Sequence, residues 1–170
     1  EPTNFFLYAG AGSGKTYSLV TALERFRDSH GRQLRNNGQK VAVVTYTNAA
    51  CDEIIERIDQ DPLFAISTIH RFCWEQISSF HEDIRKHLLE RLPADIAELE
   101  EQERKGRSGT KASVTRQRSI AAKIERLDWL AQPQVFTYNP NGDNTGQASL
   151  SHSEVLQITA ALIQSKPTMQ

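Results

Sequence analysis

The apolar residues of this chain follow two rhythms. Short β-branched or aromatic runs at residues 4–8, 41–44 and 64–66 each read as a buried strand. Helical spacing fills the gaps between them. Leu19, Val20, Leu23 and Phe26 predict a helix that stops before His30 and Gly31. A polar stretch follows, with Asn36-Asn37-Gly38 as its turn. Ile54, Ile55 and Ile58 mark a second helix, and a third runs from about His70 to Ser78 with Trp74 and Ile77 inward. Val41 to Val44 is continuous, as in parallel sheets covered on both faces. Strand and helix alternate three times, which argues for an α/β fold with a parallel sheet.

The rhythm changes at His81. Ile84, Leu88, Leu89 and Leu92 keep helical spacing, Pro93 interrupts, and Ile96 and Leu99 continue into an acidic stretch ending at Glu103. Residues 104–118 hold six basic side chains and no acidic one, with Gly106 and Gly109, and read as an exposed loop. Ile120, Ile124, Leu127 and Ala131 predict another helix. The middle third is therefore a helical insertion. A brief strand is expected over residues 135–138, then a turn at Asn139-Pro140-Asn141-Gly142-Asp143. Ser151 and Glu154 form a capping box that opens a helix with Val155, Leu156, Thr159, Leu162 and Ile163 inward, closed by Pro167. The expected division is 1–80 for the α/β part, 81–138 for the insertion and 139–170 for a return toward the core.

Composition adds little. The formal net charge of the 170 residues is -1, so no global field marks a nucleic-acid binder, and any such contact must come from local charge. Two cysteines are too few for a disulfide framework and read as reduced thiols. No run approaches the ~18 apolar residues of a membrane span. The run at 4–8 leads into glycines rather than a cleavage site, so the cytoplasm is the expected compartment.

The candidate chemistry sits where the first strand meets the first helix. Ala9, Gly10, Ala11, Gly12, Ser13, Gly14, Lys15 and Thr16 fit the phosphate-binding loop, or P-loop, with alanine at its first glycine position. Backbone N–H groups can converge on phosphate oxygens only where side chains are small. The helix starting near Lys15 turns its positive end toward the same phosphates. Lys15 would reach the β and γ phosphates, and the Thr16 hydroxyl would ligate the Mg²⁺ that bridges them. The implied ligand is a nucleotide such as ATP with Mg²⁺; the P-loop alone does not separate kinases, switches and motors.

Two further blocks end the second and third strands: Thr45-Tyr46-Thr47-Asn48-Ala49-Ala50 and Ser67-Thr68-Ile69-His70-Arg71-Phe72. With the P-loop, in this order and spacing, they resemble the UvrD/Rep-type superfamily 1 DNA helicases. The resemblance implies a RecA-like P-loop NTPase with a helical insertion that contacts DNA. It also implies that Thr45, Tyr46, Thr47, Asn48, Thr68, His70, Arg71 and Phe72 lie on a track for single-stranded DNA or duplex junctions. Hydroxyl and amide groups can bind backbone phosphates without reading sequence, and aromatic faces can stack bases of any identity. Alternatives stand beside these roles. Tyr46 also reads as a strand-end aromatic packed on the core, and Asn48 as the N-cap of the second helix. The spacing of His70 and Cys73 lacks the second pair that a zinc site needs. Arg71 stands where the family has serine. Cys51-Asp52-Glu53 replaces small and basic residues, and carboxylates there weaken phosphate binding. The basic stretch at 104–118 reads either as a DNA contact or as a balance to the acidic helix before it.

A working P-loop ATPase also needs a strand ending in acidic residues to hold Mg²⁺ and activate water. No apolar strand of this sequence ends in Asp-Glu. The expectation is a fragment of a longer motor, with a second RecA-like domain elsewhere in the parent, that binds nucleotide weakly without turning it over. Repair, recombination and defence all use such motors. The competing expectation is a P-loop phosphotransferase or nucleotide switch that does not act on DNA.

Overall fold

In the computed structural model, which describes residues 13–165, the second and third apolar runs pair side by side. β1 (Val41–Thr45) and β2 (Phe64–Thr68) form a parallel two-stranded sheet, in register from Val41 opposite Phe64 to Thr45 opposite Thr68. The run at 4–8, the loop residues Ala9 to Gly12 and Pro167 lie outside the described residues. The helices are α1 (Lys15–Asn36), α2 (Asn48–Arg57), α3 (Ile69–Ile77), α4 (His81–Lys105), α5 (Lys111–Trp129) and α6 (His152–Ser165). The chain is thus mixed α/β and mostly helical. It divides into two compact units, Glu1–Phe72 and Cys73–Gln170, so the division falls within α3 and residues 139–170 group with the second unit.

In the first unit, Val20 and Leu23 of α1, Val43 of β1, Ile54 and Ile58 of α2, and Leu63 and Phe64 form one buried cluster. The pleat sends Ala42 and Val44 to the other face, where both are exposed. Coverage on both faces therefore does not hold among the described residues. α1 also runs seven residues beyond its expected end. Gly31 costs the helix some stability, yet it is buried where an added methyl would lie 3.3 Å from Leu63 Cδ2. Contact with Leu63 thus favours glycine there. The helix ends at the expected turn, with Gly38 at a left-handed φ of 65°. Gln39 N–H donates to the Leu34 carbonyl and Gly38 N–H to that of Arg35, a Schellman closure.

In the second unit, α4 continues through Pro93, which is exposed and costs one intrahelical hydrogen bond, while Ile84, Leu88, Leu92 and Ile96 stay buried along one stripe. The expected basic loop is only a turn. Thr110 caps α5 by accepting from Ser113 N–H at 3.1 Å, so residues 111–118 are helical. Arg104 and Lys105 pair with Glu101, and Arg116 donates to Glu103 at 2.8 Å. Half of the six basic residues thus answer the acidic end of α4. Ile124 of α5 is exposed.

The strand expected at 135–138 reduces to one bridge between Thr137 and Ser149, although Phe136 and Tyr138 are buried and Val135 is exposed, as alternation requires. Phe136 sits edge-on to Trp129 at 5.7 Å, and half-buried Trp74 lies 6.0 Å from Tyr138. The turn after it forms: the Asn144 amide donates to the Asn139 carbonyl at 2.9 Å. The capping box also forms, with Glu154 N–H donating to Ser151 Oγ at 3.2 Å and Ser151 N–H donating to the Glu154 carboxylate at 2.8 Å. α6 buries Val155, Ile158, Thr159 and Leu162; Leu156 and Ile163 lie at its exposed edge, contrary to expectation. Arg126 of α5 ties this region together, bonding the Glu154 carboxylate and the Gln147 and Ser149 carbonyls. No helix among the described residues is long and apolar enough to cross a membrane.

Candidate nucleotide and strand-end site

Of the candidate phosphate loop, Ser13 to Thr16 are described. Gly14 takes a left-handed φ of 75°, a region that residues with a Cβ enter only at a cost. Its carbonyl accepts from Ser18 N–H at 2.9 Å, so α1 begins there. No side chain caps α1 and no carboxylate stands in its first turn. That leaves the positive end of the helix unneutralised by its own residues. Ser13 and Lys15 are exposed and Thr16 is half-buried at this end.

A cleft of about 360 Å³ opens beside it, lined by Gly14, Lys15, Thr16, Tyr17, Glu53 and Arg57. Glu53 and Arg57 lie one turn apart on α2 and form an ion pair at 2.8 Å. The acidic Asp52-Glu53 step therefore does not leave Glu53 uncompensated beside the loop. The sequence reading missed Tyr17, Glu53 and Arg57. The i, i+4 spacing of the last two was visible, but not which way that face of α2 points. Tyr17 is 69% exposed and offers an open ring at the cleft rim. The donor set fits a polyphosphate with a hard cation. A helix N-terminus, an ammonium and a guanidinium suit the phosphates, and a hydroxyl and a carboxylate suit Mg²⁺.

The parallel register brings the two later blocks to one edge of the sheet, because Thr45 and Thr68 are partners at the ends of β1 and β2. The side chains there differ in availability. Tyr46 is 88% exposed, so the alternative in which it packs on the core does not hold. Thr47, not Asn48, is the N-cap of α2: Thr47 is extended and its hydroxyl accepts from Ala50 N–H at 3.2 Å. A β-region backbone suits the cap position, and Asn48 already has helical geometry as the first residue of α2. The Thr45 hydroxyl donates to the Thr47 carbonyl at 3.0 Å and lies 2.9 Å from Cys51 Sγ. Thr68 is buried and its hydroxyl accepts from Arg71 N–H at 3.4 Å. On α3, Arg71 is exposed, whereas His70 and Phe72 are half-buried. Cys73 is buried, and that burial pushes its thiol pKa up.

Comparison with known proteins gives the family. The chain is 33% identical over 98 residues to the Gabija protein GajB of Bacillus cereus (strain HuB5-5), a match covering 58% of this chain and 14% of that protein. It is 35% identical over 100 residues to an ATP-dependent helicase/nuclease protein of Clostridioides difficile (strain 630), covering 46% of this chain and 8% of that protein. The chain thus spans a small part of the length of both relatives. No solved structure matches it significantly. The sequence pattern of the UvrD/REP helicase N-terminal domain matches residues 1–164, nearly the whole chain, and the chain belongs to that family.

Proposed function

We propose that this chain is the ATP-binding front part of a helicase motor that moves on single-stranded DNA. The observation that carries the reading is the pairing of Thr45 with Thr68, which joins the two strand-end blocks at one sheet edge. Open α/β sheets bind ligands at the carboxyl ends of their strands. In this reading Ala9 to Thr16 hold the triphosphate, Lys15 neutralises the β and γ phosphates, and Thr16 holds Mg²⁺. Magnesium-bound ATP, once hydrolysed, supplies the energy of translocation. Arg57 adds a second cation to the phosphates, and Glu53 orients it. Tyr46 and Phe72 stack bases, and Thr47, Asn48, Thr68, His70 and Arg71 serve the DNA backbone; Thr45, at the same edge, shapes the turn that carries Tyr46. The α/β unit is the start of a RecA-like domain, residues 81–138 are its helical insertion, and residues 139–170 lead back toward the core. A second RecA-like domain of the same protein completes the nucleotide site.

The test is ATP hydrolysis by the full-length protein with and without single-stranded DNA. Stimulation by DNA is expected; its absence, with turnover intact, favours a phosphotransferase or nucleotide switch instead. Lys15→Ala should abolish turnover. Arg57→Ala should weaken nucleotide affinity about tenfold in a fluorescent-nucleotide titration, the worth of one charge-assisted hydrogen bond. Among the described residues neither strand ends in Asp-Glu, and the 170-residue chain alone should bind nucleotide weakly without turnover. Phosphate release above background from that chain would refute this.

A further inference from the structure

Tyr46 stands out of the sheet edge while the residues on either side of it are tied down. Thr45 has one hydroxyl proton, and the Thr47 carbonyl takes it at 3.0 Å. The Thr45 oxygen is then left as an acceptor for the Cys51 thiol, 2.9 Å away. Cys51 also donates its backbone N–H to the Thr47 carbonyl at 3.2 Å. One residue of α2 thereby holds both neighbours of Tyr46, through its side chain on one side and its backbone on the other. Thr47 is fixed a second time as the cap of α2. Cys51 is 6% exposed and Thr45 half-buried, so this contact is partly shielded from bulk water, which strengthens it.

We propose that Thr45 and Cys51 form a latch that holds Tyr46 out as a rigid platform for the unpaired bases of a single strand. Both are positioning residues: the Thr45 hydroxyl serves the turn rather than a phosphate, and Cys51 touches no ligand. A platform ordered before binding avoids the entropy lost when a loop is ordered by its ligand. Cysteine suits the position because it is small enough for the first turn of α2 and carries a donor. The inference rests on the reading of Tyr46 as a base contact, and the two fail differently.

The experiment measures the oligo-dT concentration that half-saturates ATPase stimulation of the full-length protein. Cys51→Ala should raise it about two- to tenfold, the worth of one hydrogen bond, with the maximal rate preserved. Thr45→Val should raise it similarly, and the double variant should be no worse than either single one, because both break the same latch. Cys51→Ser keeps a donor at the same carbon and Thr45→Ser keeps the hydroxyl, so both should stay close to the parent. The proposal is overturned if Cys51→Ala and Thr45→Val leave half-saturation unchanged while Tyr46→Ala raises it. A fall in melting temperature alone, with DNA response intact, also overturns it and marks Cys51 as packing. If Tyr46→Ala itself has no effect, the base-contact reading falls and takes the latch with it.

Discussion

At the scale of single residues, polar side chains here are used twice, once for the fold and once for the edge they present. Thr47 caps α2 at the same sheet edge that presents Tyr46, and Glu53 pairs with Arg57 while lining the cleft. Asp61 shows the purely structural case. It accepts from Leu63 N–H at 2.9 Å and from Arg35 at 2.8 Å, with Arg27 3.8 Å away. The Leu63 N–H, then the Arg35 and Arg27 charges, hold its carboxyl below the ordinary value against the opposing effect of burial. The stability it contributes is therefore complete above the unfolded value of about 3.9 and lost as pH falls through the lower folded value. Asp61→Asn should cost about 1 kcal/mol at pH 7 in urea unfolding. The gap to the parent should close as the pH drops below 4; an equal gap at pH 7 and pH 2 would contradict this assignment. The pairing of Asp61 with Arg35 was not legible beforehand, because the two lie on different elements and only packing brings them together.

At the scale of elements, the strands and most helices were readable and their ends were not. Periodicity found β1, β2 and α2 because each carries a short, dense apolar signal. The capping box at Ser151 was legible because both partners lie within one turn of chain. Breakers misled where tertiary contact outweighed them. Gly31 sits inside α1 because Leu63 needs the space, and Pro93 sits inside α4 because four buried aliphatics hold the helix on both sides of it. Pro93→Ala should restore a hydrogen bond to the Leu89 carbonyl and stabilise the second unit by about 1–3 kcal/mol. A lower melting temperature for this variant would mean that a bend at Pro93 is itself required. The loop expected at 104–118 failed for a different reason: a run of like charges looks solvated until the acidic side chains of α4 pair with it across the turn.

At the scale of the whole molecule, two units carry separate burdens. The α/β unit holds the cleft and the paired strand ends, and the helical unit is held by α4 against α5 with Arg126 binding α6 and its preceding loop. Ligand that binds one unit stabilises that unit by mass action. Magnesium-ATP should therefore slow amide exchange in α1 and α2 and leave the buried stripe of α4 unchanged. Equal protection of both would show that the units open as one. The sequence alone determined the chemistry on offer: glycines and a lysine before a helix, and hydroxyl and aromatic blocks after two strands. Local rules suffice there, since backbone freedom, helix dipoles and side-chain type act within a few residues. Only the tertiary structure decided which of those groups face outward. The register puts Thr45 beside Thr68, packing leaves Tyr46 in solvent while burying Cys51 against Thr45, and the setting of α2 brings Arg57 to the cleft. Those outcomes depend on how separate elements pack, which no local pattern encodes.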